Sequence, residues 1–143
     1  MKLIVLEVAA VALAMLGRKA AFAVQVARVE MPAELTIGVA AGARSIRLAE
    51  RDGVRSHGLM YLPVYVEHLS CGKVIGTAEP QVTHLRAGAV AVDAAHGFAH
   101  PAIDLGLPVL IDAARSCGIA AMTLRRSYNC GILGHHAERI AKA

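Results

Sequence analysis

The sequence predicts a mixed helix-and-strand chain, α/β in class and α+β over this length, in which a helical front half feeds a hairpin-helix-strand-helix unit. Three observations carry that expectation. The front half has long apolar stretches but no clean strand alternation, from Leu3 to Leu16 and again from Pro32 to Glu50. Two short β-type runs, Gln81–Leu85 and Ala89–Asp93, flank the turn Arg86-Ala87-Gly88. A helical stretch from Pro101 to Cys117 is closed by Gly118 and followed by the apolar run Ile119–Leu124.

Taken in order, Leu3–Leu16 reads as a helix apolar nearly all round, with Gly17 as its stop. Residues 18–31 are ambiguous, because alanine favours helix and valine favours strand. Pro32 suits the first turn of a helix that runs towards Glu50, weakened by Gly38 and Gly42 and ended by Asp52-Gly53. Ser56-His57-Gly58 then lies on a turn, Leu62–Leu69 forms a short helix around Pro63, and Gly72, Gly76 and Pro80 mark a loop. The two β runs pair as a hairpin. In the next helix Gly106 and Pro108 interrupt the pattern, and an interior proline should kink or restart it at a cost of about 3 kcal/mol. Ile119–Leu124 reads as a strand of the buried kind, and Gly131–Ala143 as a final amphipathic helix.

At 143 residues and 56% hydrophobic content the chain is long enough for one real core. Aromatics make up only 3% and tryptophan is absent, so Ala, Val, Leu and Ile are expected to build that core. The net charge of +4 is scattered, with Arg125-Arg126 the one Arg pair and no basic stripe interleaved with aromatics, which argues against a nucleic-acid partner. Three widely spaced cysteines, Cys71, Cys117 and Cys130, read as reduced and mostly buried thiols of a cytoplasmic protein. Lys2 ahead of Leu3-Ile4-Val5-Leu6, with Ala21-Phe22-Ala23 further on, has the look of a leader over residues 1–23. Glu7 inside the apolar run, and Arg18-Lys19 after it, favour a buried helix instead, and the run is too short to span a bilayer.

His57 is the best chemical candidate. A histidine on a glycine-flanked turn can face a cleft, and histidine titrates close enough to neutrality to give or take a proton. Ser56 can orient the ring or bind a substrate carboxylate. The plain alternative is a turn histidine that merely caps a helix. His96 and His100 are four apart, as metal ligands on a helix often are. Gly97 and Pro101 argue against a helix there and no third ligand is nearby, so no metal is expected. His135 and His136 are adjacent and read as solvent-facing. Ser127-Tyr128-Asn129-Cys130-Gly131 follows a strand and opens a helix, where ligands meet backbone N–H groups. There Ser127 or Asn129 is either a ligand-binding residue or a helix N-cap. Cys130 has no base placed beside it that would make it a nucleophile.

Read together, these runs resemble the second type of malate/L-lactate dehydrogenase family, the L-sulfolactate dehydrogenase-like group that includes ureidoglycolate dehydrogenase and Δ1-piperideine-2-carboxylate reductase. The likeness runs over residues 48–143. It is carried by Ala49-Glu50-Arg51-Asp52-Gly53, Ser56-His57-Gly58, Leu62-Pro63 with Tyr65, Gly72-Lys73 to Pro80, Val92-Asp93 to Pro101-Ala102, Ala114-Arg115-Ser116-Cys117-Gly118-Ile119 and Ser127 to Gly131. The resemblance implies NAD- or NADP-linked oxidoreduction of a small 2-hydroxy or 2-oxo acid, or of a cyclic 2-imino carboxylate, by a cytoplasmic homodimer with no membrane partner. It implies a helical part over residues 1–75 that carries the Ser-His-Gly turn. Residues 76–143 would then be the first, incomplete portion of a nucleotide-binding domain unlike a Rossmann fold.

In that frame His57 matches the family's proton-donating histidine, with Ser56, Tyr61, Ser127 and Asn129 at the substrate. Two departures stand out. Tyr61 occupies the place of an arginine that pairs with the substrate carboxylate, so a neutral donor replaces a charged fork. Asn129 occupies the place of a second histidine, and an amide cannot shuttle a proton. The chain also ends after the first α/β unit, before the segments that carry most nucleotide contacts in the family. The expectation is therefore a truncated and inactive chain, or alternatively a non-catalytic interaction or dimerisation module that pairs with itself or with a full-length relative.

Overall fold

A computed structural model describes residues 36–143. The expected front helix Leu3–Leu16, the ambiguous stretch after it, the start at Pro32 and the leader-like residues lie outside the described residues. Helix α1 (Thr36–Arg51) ends where Asp52-Gly53 was expected to end it. It buries Ser45, Ile46 and Ala49, the spacing of a single helix face. Two 3-10 turns, Arg55–His57 and Leu59–Tyr61, lead into α2 (Leu62–Ser70), which carries Pro63 in its first turn, where a missing N–H costs nothing.

Strand β1 (Gln81–Arg86) pairs antiparallel with β2 (Ala89–Asp93) as the expected hairpin, with a register shift between His84 and Arg86. Helix α3 (Ala99–Cys117) crosses over to β3 (Ala121–Arg125), which pairs parallel to β2, giving the order β1-β2-β3. Gly118 closes α3 in the left-handed region, its N–H bonded to the Ala114 carbonyl. Helix α4 (Leu133–Ala141) completes the described residues.

Three local expectations are corrected. Helix α3 continues through Pro108 with no restart, and the proline is exposed. The cost falls on the Asp104 carbonyl, which loses its helical donor. Strand β3 is not of the buried kind: Met122 and Leu124 turn half-buried towards α3, while Ala121, Thr123 and Arg125 are exposed. Only one face of it is covered among the described residues. The cysteines are not buried either. Cys71 and Cys117 are exposed at helix ends and Cys130 is half-buried.

The core has two centres. One is aliphatic as expected: Val90, Val92, Ala94, Ala102 and Ala113 join the sheet to α3. Gly106 lets the helix come that close, since a Cβ there would lie 2.5 Å from Met122 Sδ and 2.6 Å from Val92 Cγ2. The second centre is not aliphatic. Tyr65 and Phe98 are buried with Ile46, Leu59 and Val74, and Tyr61 and Tyr128 pack against them. All three tyrosines of the chain thus meet in one place. No helix among the described residues is long and apolar enough to cross a membrane.

Candidate active site

The Ser-His-Gly turn is fixed from below by Glu50 at the end of α1. Its Oε1 accepts the Leu59 N–H at 2.8 Å. A Cβ on Gly58 would stand 1.9 Å from that same oxygen, so a side chain there would push Glu50 away from the Leu59 N–H. The turn closes on itself through His57 N–H to the Val54 carbonyl at 3.0 Å and Gly58 N–H to the Arg55 carbonyl at 3.1 Å. His57 is half-buried, and its Nδ1 lies 3.0 Å from Ser56 Oγ. That bond occupies Nδ1 and leaves Nε2 without a hydrogen-bond partner among the described residues.

One 3-10 turn later, Tyr61 packs edge-on against Tyr65, with ring centroids 5.0 Å apart. Tyr65 in turn packs edge-on against Phe98 at 5.6 Å and Tyr128 at 5.9 Å. Such T-shaped pairs set positive ring edges against negative faces. The Tyr65 hydroxyl donates to Asn129 Oδ1 at 3.3 Å, and the Gly131 N–H donates to the same oxygen at 2.6 Å. Burial pushes the Tyr65 phenol up to about 12, with Tyr128, Tyr61 and Cys130 adding to the effect. It therefore stays a protonated donor at neutral pH. Burial first, and Tyr61 second, also raise the Tyr128 phenol.

The loop that carries Asn129 is held by an ion-pair clasp at the strand ends. Asp93 takes both arms of Arg126, Nε at 2.9 Å and Nη2 at 2.7 Å, together with Arg125 Nη2 at 2.9 Å and the Ala95 N–H at 2.9 Å. Arg126 above all, then the Ala95 N–H, keeps the Asp93 carboxyl far below the usual carboxylate range. The one Arg pair of the sequence is thus spent on a structural carboxylate.

The predicted site residues fall into three groups. Ser56 and His57 bond each other. Tyr61 and Asn129, distant in sequence, both touch Tyr65. Ser127 stands exposed. Neither Ser127 nor Asn129 caps a helix, because α4 starts only at Leu133, with Ile132 at its N-cap and no side-chain cap.

The other histidines depart from expectation. His96 lies ahead of α3 with φ of 63°, so it does not share a helix with His100. His100 is 7% exposed, with both ring nitrogens unpartnered among the described residues. His135 and His136 do not face solvent freely. His135 Nε2 is 2.8 Å from Asp52 Oδ2 with its side chain 14% exposed, and His136 Nε2 donates to the Cys130 carbonyl at 2.8 Å. Two residues of the site were not singled out by the pattern reading: Glu50 and Tyr128. Scarcity was the available signal. Tyr61 and Tyr65 sit four apart and Tyr128 follows a strand, in a chain with only three tyrosines.

Residues 10–143 match the sequence profile of the family described as malate/L-lactate dehydrogenase. The chain belongs to this family. A Δ1-pyrroline-2-carboxylate/Δ1-piperideine-2-carboxylate reductase of Pseudomonas putida is 44% identical over 94 residues, 66% of this chain and 28% of that protein. A (2R)-3-sulfolactate dehydrogenase (NADP(+)) of Chromohalobacter salexigens is 40% identical over 100 residues, 70% of this chain and 30% of that protein. Among solved structures, the Δ1-piperideine-2-carboxylate reductase of Pseudomonas syringae pv. tomato superposes with a TM-score of 0.71 at 37% identity. It covers 78% of this chain and 33% of that one. The chain thus spans less than a third of the length of these curated relatives.

A nicotinamide dinucleotide would need matching donors for its two phosphates. Here Arg51 is engaged by Asp52, Arg125 and Arg126 by Asp93, and Arg139 by Asp104. Arg47, Arg55 and Arg86 are exposed and make no ion pair among the described residues, so cationic donors for such phosphates remain.

Proposed function

We propose that this member of the malate/L-lactate dehydrogenase family provides the proton-donating and carboxylate-facing part of a nicotinamide-linked oxidoreductase acting on a small 2-oxo, 2-hydroxy or cyclic 2-imino carboxylate. The observation that carries the reading is the Glu50-anchored turn, which engages His57 through its Nδ1 and leaves Nε2 without a partner among the described residues. Hydride arriving at the substrate carbon leaves charge on its oxygen or nitrogen, and an imidazolium N–H can neutralise it. Ser56 fixes the ring. Tyr61 donates to the substrate carboxylate in place of a guanidinium, and Asn129, gathered beside it by Tyr65, orients the substrate without moving a proton. Ser127 lies at the rim. Residues 1–75 carry the acid and residues 76–143 carry the sheet and the Asn129 loop.

In this reading residues 1–143 do not turn over substrate alone. A second reading, an interaction module, is favoured by the apolar side chains left in the open, Ile119 at 81% exposure above all, then Met60 and Leu133. Nuclear magnetic resonance titration of the chain with pyruvate and with NADPH separates these. Pyruvate should shift the His57 ring and Tyr61 signals, and NADPH should not bind stoichiometrically. A pyruvate response that leaves His57 unmoved overturns the assignment, and stoichiometric NADPH binding overturns only the reading that residues 1–143 are inactive alone.

A further inference from the structure

Helix α4 is attached to the body almost without apolar burial. None of its residues is buried; His135 and His136 are half-buried and the rest are exposed. Hydrophobic burial therefore contributes little to holding it. Polar contacts do that work instead. His135 Nε2 meets Asp52 Oδ2, Arg139 Nη1 lies 2.8 Å from Asp104 Oδ1, and the Ala143 carbonyl accepts Arg115 Nη2 at 2.8 Å. The fourth contact is His136 against His100 on α3, with ring centroids 5.8 Å apart.

That last contact is the sealed one. Both ring nitrogens of His100, and Nδ1 of His136, are buried with no hydrogen-bond partner among the described residues. The Asn129 loop closes over them at Gly131, whose φ is 68°. A Cβ there would stand 2.3 Å from Ser45 Oγ and 3.2 Å from His100 Nε2, so bare backbone rests directly on the ring.

The surroundings of the pair are poor in acceptors for a charged imidazole. From α1 comes the neutral Ser45 hydroxyl. From α3 comes Asp104, which is committed to Arg139. From the loop comes the Cys130 carbonyl, which already accepts His136 Nε2 at 2.8 Å. From α4 comes Arg139, itself positive. A proton added to either ring is thus a buried charge beside a second imidazole, and exposure to water relieves it. Acid acts the other way at His135 and Asp52, which a protonated imidazole binds more tightly. Asp52 is partly exposed, so water screens that gain.

We propose that His100 and His136 form a proton-operated latch: protonation of the pair releases α4 and the Asn129 loop from α1 and α3 while the sheet stays folded. The opened loop carries Asn129 away from Tyr65 and takes the candidate site apart in mild acid. That consequence for the site rests on the reading of Asn129 as a substrate-orienting residue; the opening itself does not.

The test is amide hydrogen exchange of the intact chain, corrected for the intrinsic exchange rate and repeated in low urea, with a parallel pyruvate titration. The His100 ring goes from about 4 when sealed to an ordinary 6.5 when released. Opening should therefore become about thirtyfold more frequent between about pH 7.5 and about pH 5. The rise should appear at the amides of residues 129–141 and be insensitive to urea, while the β2 amides exchange through urea-sensitive unfolding. His100→Gln should abolish most of the rise, and if that variant does not fold the wild-type profile still decides. A urea-insensitive opening that does not change with pH overturns the latch. Exchange of residues 129–141 and of β2 through one urea-sensitive step overturns it as well. Acid release of residues 129–141 with pyruvate affinity unchanged supports the latch and overturns the substrate role of Asn129.

Discussion

Lowering the pH from neutral should unfold this protein earlier than its carboxylates alone would, and His100→Leu should remove that weakness. His100 sits on α3 under the Asn129 loop. It is faced by Ser45 from α1, by Asp104 on its own helix, by the Cys130 carbonyl, and by His136 and Arg139 from α4. Burial, then the neighbouring His136, pushes its imidazole down to about 4 from an ordinary 6.5. The folded protein therefore keeps His100 neutral while the unfolded chain takes up a proton as pH falls below about 6.5. The resulting stability is complete above that value and is lost progressively as pH falls to about 4. The fall in affinity for the proton corresponds to about 3 kcal/mol, a large part of the total for a domain of this size. Asp52, held at about 2 by its bonds to Arg51 and then His135, loses its contribution only below the ordinary carboxylate value of 3.8, so the two windows do not overlap. Urea midpoints followed by far-UV circular dichroism between about pH 7.5 and about pH 4 give the profile. The wild-type curve should fall by about 3 kcal/mol more than that of His100→Leu. Parallel curves would refute the burial argument.

Gly58→Ala should cost about 1–3 kcal/mol of stability, because the new Cβ meets the Glu50 carboxylate, and it should blunt the pyruvate response of His57; urea unfolding and the titration read both effects. Gly106→Ala should cost a similar amount by forcing α3 off Met122 and Val92, with the His57 signals unmoved. Tyr65→Phe should cost about 1 kcal/mol in unfolding experiments, since Asn129 Oδ1 keeps the Gly131 N–H when the phenol is lost. Asp52→Asn should flatten the acid limb of the stability profile between pH 3.8 and about 2, where the wild-type carboxylate takes up its proton.

Much of the fold was legible because its signals are local. Gly118 stops α3, Pro63 sits in the first turn of α2, and the two runs around Arg86-Ala87-Gly88 pair as written, with β2 matching residue for residue. The rest depends on what faces what. No periodicity distinguishes a strand covered on two faces from β3, which α3 covers on one. No spacing shows that His100 is sealed under a loop from the end of the chain, or that His135 reaches Asp52. The Ser-His-Gly turn was visible because three adjacent residues carry it. The aromatic cluster was not, because Tyr65 and Asn129 are 64 residues apart and meet only once β3 lies beside β2.

The central claim is that His57 is the acid of a nicotinamide-linked reduction. The direct measurement exchanges the matching 94-residue segment into the Pseudomonas putida reductase and follows oxidation of the reduced cofactor with Δ1-piperideine-2-carboxylate, with and without His57→Gln. The account predicts turnover by the hybrid and a loss of about 10²- to 10⁴-fold on His57→Gln. Turnover that is unchanged by His57→Gln would contradict it.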